Sequence, residues 1–221
     1  MTEKELAALY RPKLFFDKKE PFTVQSVGYT VFREPKRSAS FPKREVFPVD
    51  GGCVIEYAFW YDYDIQHLYE LEHIWVYLDG DGTVVDAEGS THGKYMRLVD
   101  PENGRIPADG SRVCAYVQPG KHAFASRPEL FRLFPRVVES CGAEAGADGI
   151  APGDMVKDQF TISEELQRKT RAYIRKNFSF VPSFVFEERE WDADLLTPWE
   201  DLLAEIPERM NRQICLIERF Q

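Results

Sequence analysis

Short apolar runs broken by polar turn residues fill most of residues 1–125, and this pattern predicts strands. LYRPKLFF, FTVQSVGYTVF, CVIEYAFWY, EHIWVYLD, GTVVDAEG and RVCAYVQPG are rich in β-branched and aromatic residues. Asp50-Gly51-Gly52, the Asp-Gly repeat from Asp79 to Gly82, and Asn103-Gly104 separate them as turns. Strands at this spacing without intervening helices predict an antiparallel β-sandwich or barrel rather than parallel βαβ units. Residues 34–47 (REPKRSASFPKREV) read as a basic, solvated surface loop.

Beyond residue 125 the pattern changes. Ser126 and Glu129 have capping-box spacing ahead of a short helix that Pro135 ends. Residues 140–154 are small and Gly-rich, the composition of a mobile loop. Thr161 and Glu164 open a helix with Leu166, Thr170, Tyr173 and Ile174 on one stripe. Thr197 and Glu200 open a last one, with Pro198 at its first position and an interruption expected near Pro207. The fold expected is mainly β (α+β): a β-sandwich over residues 1–125 and a mostly helical cover over 126–221, within one domain over 1–221.

Composition narrows the partners. The net charge of -9 disfavours nucleic acid and anionic membrane surfaces. The N-terminal residues lack the pattern of a secretory leader, and no apolar run reaches spanning length. A cytoplasmic location is the expectation, with Cys53, Cys114, Cys141 and Cys215 as free and mostly buried thiols.

The candidate chemistry centres on DYDIQHLYELE, residues 62–72. As a hairpin, this stretch brings Asp62, Asp64, His67, Glu70 and Glu72 towards one sheet end. Strict alternation puts His67 on the wrong face, so it must sit in a turn or bulge to join them. Clustered carboxylates repel one another, and a cation relieves that repulsion. Oxygen donors with one imidazole suit Ca²⁺, Mg²⁺ or Mn²⁺, with Zn²⁺ a further candidate. Spacing alone leaves the stretch balanced between such a site and a solvated acidic turn.

All four histidines fall between residues 67 and 122. His92 and His122 each follow a strand in a Gly-containing turn and are the acid–base candidates. Lys94 and Lys121 stand beside them as candidate anion holders, and His73 as a wall residue. A two-histidine iron site can be drawn from His67, Glu72 and His122. Nucleophile-elbow, Walker, dinucleotide-binding and HExxH motifs are all missing.

The order of these elements resembles the necrosis- and ethylene-inducing-like proteins, the NLP cytolysins, with their GHRHDWE heptapeptide. His67, Glu70 and Glu72 match its first His, its Asp and its Glu; Asp62 or Asp64 takes the place of an upstream Asp, and Thr91-His92-Gly93 that of a later His-Gly segment. Tyr116 to Ala123 is similar to a third element found in the vacuolar-sorting-related proteins of fungi and plants. Leu68, Tyr69 and Leu71 replace the family's Arg, His and Trp, and Gln66 its Gly. The resemblance covers roughly residues 54–125 and implies a β-sandwich with a divalent cation at its rim. Three functions follow as expectations: a metal-dependent hydrolase acting on a phosphate- or sugar-containing substrate, a non-enzymatic module binding a glycan or polar head group, and an iron-dependent oxygenase.

Overall fold

The structure is a computed structural model and describes residues 1–151 and 160–220. Residues 152–154 of the predicted Gly-rich loop lie outside the described residues. In chain order the elements are α1 (Glu3–Leu9), β1 (Lys13–Asp17), β2 (Ser26–Phe32), β3 (Lys36–Arg37), β4 (Glu45–Val46), β5 (Cys53–Tyr63), β6 (His67–Leu78), β7 (Val84–Thr91), β8 (Lys94–Arg97), β9 (Ala108–Asp109), β10 (Arg112–Val117) and β11 (Phe124–Ala125). A 3₁₀ helix, Pro128–Leu133, then precedes α2 (Val137–Cys141), β12 (Gly149–Ile150), α3 (Glu164–Phe178), β13 (Phe186–Glu188), β14 (Leu196–Pro198) and α4 (Trp199–Glu218).

The fold is α+β. One sheet runs β11-β10-β1-β13, with β9 on β10; the larger runs β14-β2-β5-β6-β7-β8, with β12 on β6. Antiparallel pairing dominates, as closely spaced strands without intervening helices predict. Among the described residues three pairs are parallel instead, namely β1 with β10, β6 with β12 and β2 with β14. Each joins segments far apart in sequence, where no hairpin enforces antiparallel pairing. The C-terminal region is therefore more than a helical cover, since β13 and β14 extend both main sheets.

Alternation along β5 sets the two faces. Ile55, Tyr57, Phe59 and Tyr61 are fully buried and share one core with Leu14 and Phe16 of β1, Val113, Ala115 and Val117 of β10, and Phe124. That core lies between the two sheets. The opposite face of β5 carries Ala58 and Trp60 beneath the C-terminal helices, and Val54 in a second cluster with Phe32, Val46 and Trp75.

The basic segment 34–47 is not a free surface loop. Phe41 packs edge-on against Trp75 at 5.5 Å, and the Arg44 guanidinium lies over the rings of Trp75 and Tyr95 at 4.3 and 4.0 Å. Ser40 donates to buried Glu56 at 2.6 Å. An outward row of aromatic residues has drawn the loop down, because leaving those rings in water is more costly.

The helix ends correct three sequence expectations. The 3₁₀ helix has no side-chain cap. Ser163 rather than Thr161 caps α3, accepting from the Leu166 N–H at 3.1 Å, and Thr197 belongs to β14. α4 runs through Pro207 without a break. The carbonyl that loses its partner there belongs to Leu203, on the exposed side of the helix, where water can replace the bond. Sequence reading also missed α1, whose capping box at Thr2 and Glu5 was the available signal. The α3 stripe holds, with Leu166, Thr170 and Ile174 buried. All four cysteines are free thiols; Cys53 and Cys141 are buried, while Cys215 is exposed. Among the described residues, no helix is long and apolar enough to cross a membrane.

Gly28 sets the approach of α4 to the larger sheet. A Cβ there would lie 2.9 Å from the Trp199 ring and 3.1 Å from Leu202. Gly28→Ala should therefore push α4 off β2 and cost about 1–3 kcal/mol of stability by overpacking. Chemical denaturation checks this, and a midpoint unchanged from wild type would contradict it.

Candidate metal centre

The inward face of β5 and β6 is apolar apart from two positions near its end, Glu72 and Glu70. Register pairs Tyr57 with Ile74, Phe59 with Glu72 and Tyr61 with Glu70. Glu72 and Glu70 thus continue the core row towards the sheet end. Two charges about 7 Å apart along a strand repel by about 2 kcal/mol at an effective dielectric near 20. Burial first, and then Glu72 and Asp64, push the Glu70 carboxyl up to about 8. Burial pushes Glu72 up to about 7, against the pull of its bonds from Ser90 and the His92 N–H.

A tight turn supplies the other members. The Asp64 N–H donates to the His67 carbonyl at 3.0 Å, closing the turn. Asp64 Oδ1 accepts the backbone N–H groups of Gln66 and His67 at 2.6 and 2.7 Å. This is the local Asx capping that favours Asp in a turn. Asp64 Oδ2 faces His67 Nε2 at 3.2 Å. By strand parity Asp64 and His67 belong to the outer face. Tyr69, with φ of 56°, interrupts the alternation between His67 and Glu70. The Asp64, His67 and Glu70 ligand atoms consequently lie within 4.8 Å of one another. His67 joins the cluster through this turn geometry, as parity required.

Two neighbouring segments clamp the turn. Ile65 donates to the Gly120 carbonyl at 2.8 Å, holding the loop after β10 against it. Only glycine fits at position 120: φ is 72°, and a Cβ would lie 2.8 Å from Ile65. This contact sets Lys121 beside Asp64, with which it makes an ion pair. His67 and Lys121 outweigh burial and hold Asp64 below its ordinary carboxyl range. Asp64 and Glu70 likewise outweigh burial and hold Lys121 above its own. From the other side, Gly146 donates to the Ile65 carbonyl at 2.7 Å and Gly149 to that of Gln66 at 3.0 Å. The described part of the Gly-rich segment is thus hydrogen-bonded to the turn.

Glu72 has its own supports. Ser90 donates to one carboxylate oxygen, and the His92 N–H to the other at 3.3 Å. His92 and Gly93, with φ of 49° and 74°, form a two-residue hairpin turn closed by the Thr91–Lys94 pair. The His92 ring is at the rim, its Nε2 2.9 Å from Gln118 Oε1.

Several candidates lie elsewhere. Asp62 points to the outer face, where Trp60 Nε1 and Gln213 Nε2 donate to it at 2.9 and 2.8 Å, so the hairpin does not bring it to the cluster. His122 is fully buried in the core, stacked on Tyr61 at 3.9 Å, with Nε2 3.5 Å from Glu20. His73 takes the face opposite Glu72 and stacks on Trp75 at 5.4 Å, and burial pushes its imidazole down to about 3. Lys94 is exposed at the first position of β8. Lys121 is ion-paired to Asp64. Sequence reading missed Ser90, Gln118 and Glu20. Ser90 could be found only from the β6–β7 register.

No protein-family model matches the chain, and no curated protein matches it. Among solved structures, the chain is similar to NLPPya in complex with glucosamine, at 13% identity and a TM-score of 0.37, over 70% of this chain and 86% of that one. It is similar to NLPPya in complex with mannosamine at 14% identity and a TM-score of 0.33, with the same coverage. A structure described as a toxin fold that is a basis for microbial attack and plant defense matches at 14% and 0.34, over 70% and 87%.

Glu70 is raised on folding from an ordinary value of 4.5 to about 8. Its contribution to stability is therefore fully present below pH 4.5 and is lost as pH rises through about 8. The melting temperature of Glu70→Gln should therefore rise relative to that of chelator-treated wild type across that window. Parallel profiles for the two proteins would contradict this.

Proposed function

We propose that this chain binds a polyhydroxylated ligand, a glycan or related polar head group, through a divalent cation at the sandwich rim. The carrying observation is the convergence of the Asp64, His67 and Glu70 ligand atoms within 4.8 Å. Two carboxylates and one imidazole are a donor set for Ca²⁺, Mg²⁺ or Mn²⁺, with Zn²⁺ as a further candidate. The residues fit such an ion electrostatically too. Asp64, Glu70 and Glu72 bring three carboxyls together, and Lys121 is the one lysine or arginine ion-paired to them among the described residues.

Asp64, His67 and Glu70 would hold the cation, with Glu72 adding negative charge beside them. Once bound, such an ion draws ligand oxygens into its open positions and polarises them. Asp64 is buried, while His67 and Glu70 are half-buried, so the donor set faces the rim rather than a sealed interior. His92 lies beside the rim and offers a ligand a polar contact.

Hydrolysis is the second reading, and rim-exposed His92 is its remaining support. The other acid–base candidate, His122, is packed into the aromatic core. The iron site drawn from His67, Glu72 and His122 has less support, because His122 is stacked on Tyr61 in the core.

Adding Ca²⁺, Mg²⁺ or Mn²⁺ at about 100 times its Kd should stabilise the protein by about 2.7 kcal/mol, or about 5–10 °C in melting temperature. Asp64→Asn and Glu70→Gln should abolish the shift. Glucose, mannose, glucosamine and mannosamine are suitable ligand probes, titrated with the cation and again with chelator. Cation-dependent binding without turnover is expected. A melting temperature indifferent to all these cations and to Zn²⁺ would overturn the proposal.

A further inference from the structure

Asp62, which the hairpin turns away from the carboxylate cluster, belongs to a different concavity. A cleft of about 260 Å³ opens where the end of β5 meets α3, α4 and the segment before β2. Four of its walls are aromatic: Phe22, Tyr63, Tyr173 and Phe178. Phe178 is the hub, with ring centroids 4.9 Å from Phe22, 5.0 Å from Tyr63 and 6.0 Å from Tyr173. The contacts with Phe22 and Tyr63 are tilted and that with Tyr173 is edge-on, so the walls are not one flat stack.

Asp62 and Gln213 also line this cleft. The carboxylate is fixed in place: Trp60 Nε1 donates to one oxygen at 2.9 Å and Gln213 Nε2 to the other at 2.8 Å. The same Gln213 amide accepts from the Tyr63 hydroxyl at 2.9 Å, which seats the carboxylate beside the aromatic wall. Both donors to Asp62 are neutral. Among the described residues no lysine, arginine or histidine comes within ion-pair distance of it. A half-buried negative charge therefore stands uncompensated next to several aromatic rings, whose faces are themselves negative.

We infer that this cleft is a second ligand site, for a small organic ammonium cation. Aromatic rings and a carboxylate in one lining attract positive charge, and the carbon walls accept the alkyl groups around it. A bare metal ion is a poor occupant, because it needs about six oxygen ligands and finds one carboxylate that already accepts two hydrogen bonds. An anion is repelled, and a neutral ligand gains burial without the charge term. None of Asp64, His67, Glu70 and Glu72 lines the cleft, so its lining is distinct from the proposed cation centre.

The test is calorimetric titration with choline and tetramethylammonium in the presence of chelator, which silences the metal centre. The control is 3,3-dimethylbutanol, a neutral isostere of choline. Choline should bind at least tenfold more tightly than the isostere, with or without chelator. Asp62→Asn and Tyr173→Leu, each shown to melt as a folded protein, should each weaken choline binding about tenfold. Failure of both cations to bind wild type would overturn the site, as would equal binding of the isostere. Since those outcomes need no variant, loss of folding in a mutant leaves the inference open to refutation. Choline binding unchanged in folded Asp62→Asn would also overturn it.

Discussion

Carboxylates on the core-facing row of a sandwich strand cannot be left to themselves. Phe59 and Tyr61 place their partners Glu72 and Glu70 on the buried side of β6, where leucine or valine would otherwise stand. Each charge loses hydration there, and each raises the cost of the other. Everything around them answers that cost. Ser90 and the His92 backbone hydrogen-bond to Glu72, Lys121 brings a positive charge to Asp64, and the Asp64 turn brings His67 within reach. Lys121 supplies one positive charge against three carboxyls, which is the imbalance that a divalent cation relieves.

The support is distributed along the chain, so the centre depends on the whole sandwich. Lys121 is held by a loop whose glycine packs against Ile65. The far side of the same turn is bonded to Gly146 and Gly149, more than seventy residues along. The β7–β8 hairpin supplies Ser90 and His92. These four segments meet only because β5, β6, β7 and β10 are already stacked as two sheets, with α4 pressed on the outside at Gly28.

The strands were legible because β-branched and aromatic runs and turn residues agree along residues 1–125. So was the acidic hairpin, and so was the need for His67 to escape strand parity. What was not legible has physical reasons. Asp62 lies one strand position off the inward row, and only the β5–β6 register reveals that it faces outwards. His122 looked like a rim residue because a glycine turn precedes it. Its left-handed backbone instead turns the ring inwards onto Tyr61. The parallel partners β12 and β14 come from short segments without a strand pattern of their own, so only tertiary contact defines them. Lys121 read as an anion holder because its partner is distant in sequence.

The most direct measurement is a crystal structure of the protein grown with Mn²⁺, with data collected for the anomalous signal of manganese. One peak bonded to Asp64, His67 and Glu70, with Lys121 swung away from Asp64, is the predicted result. An ordered cluster with no peak, its Lys121–Asp64 ion pair intact at saturating Mn²⁺, would contradict it.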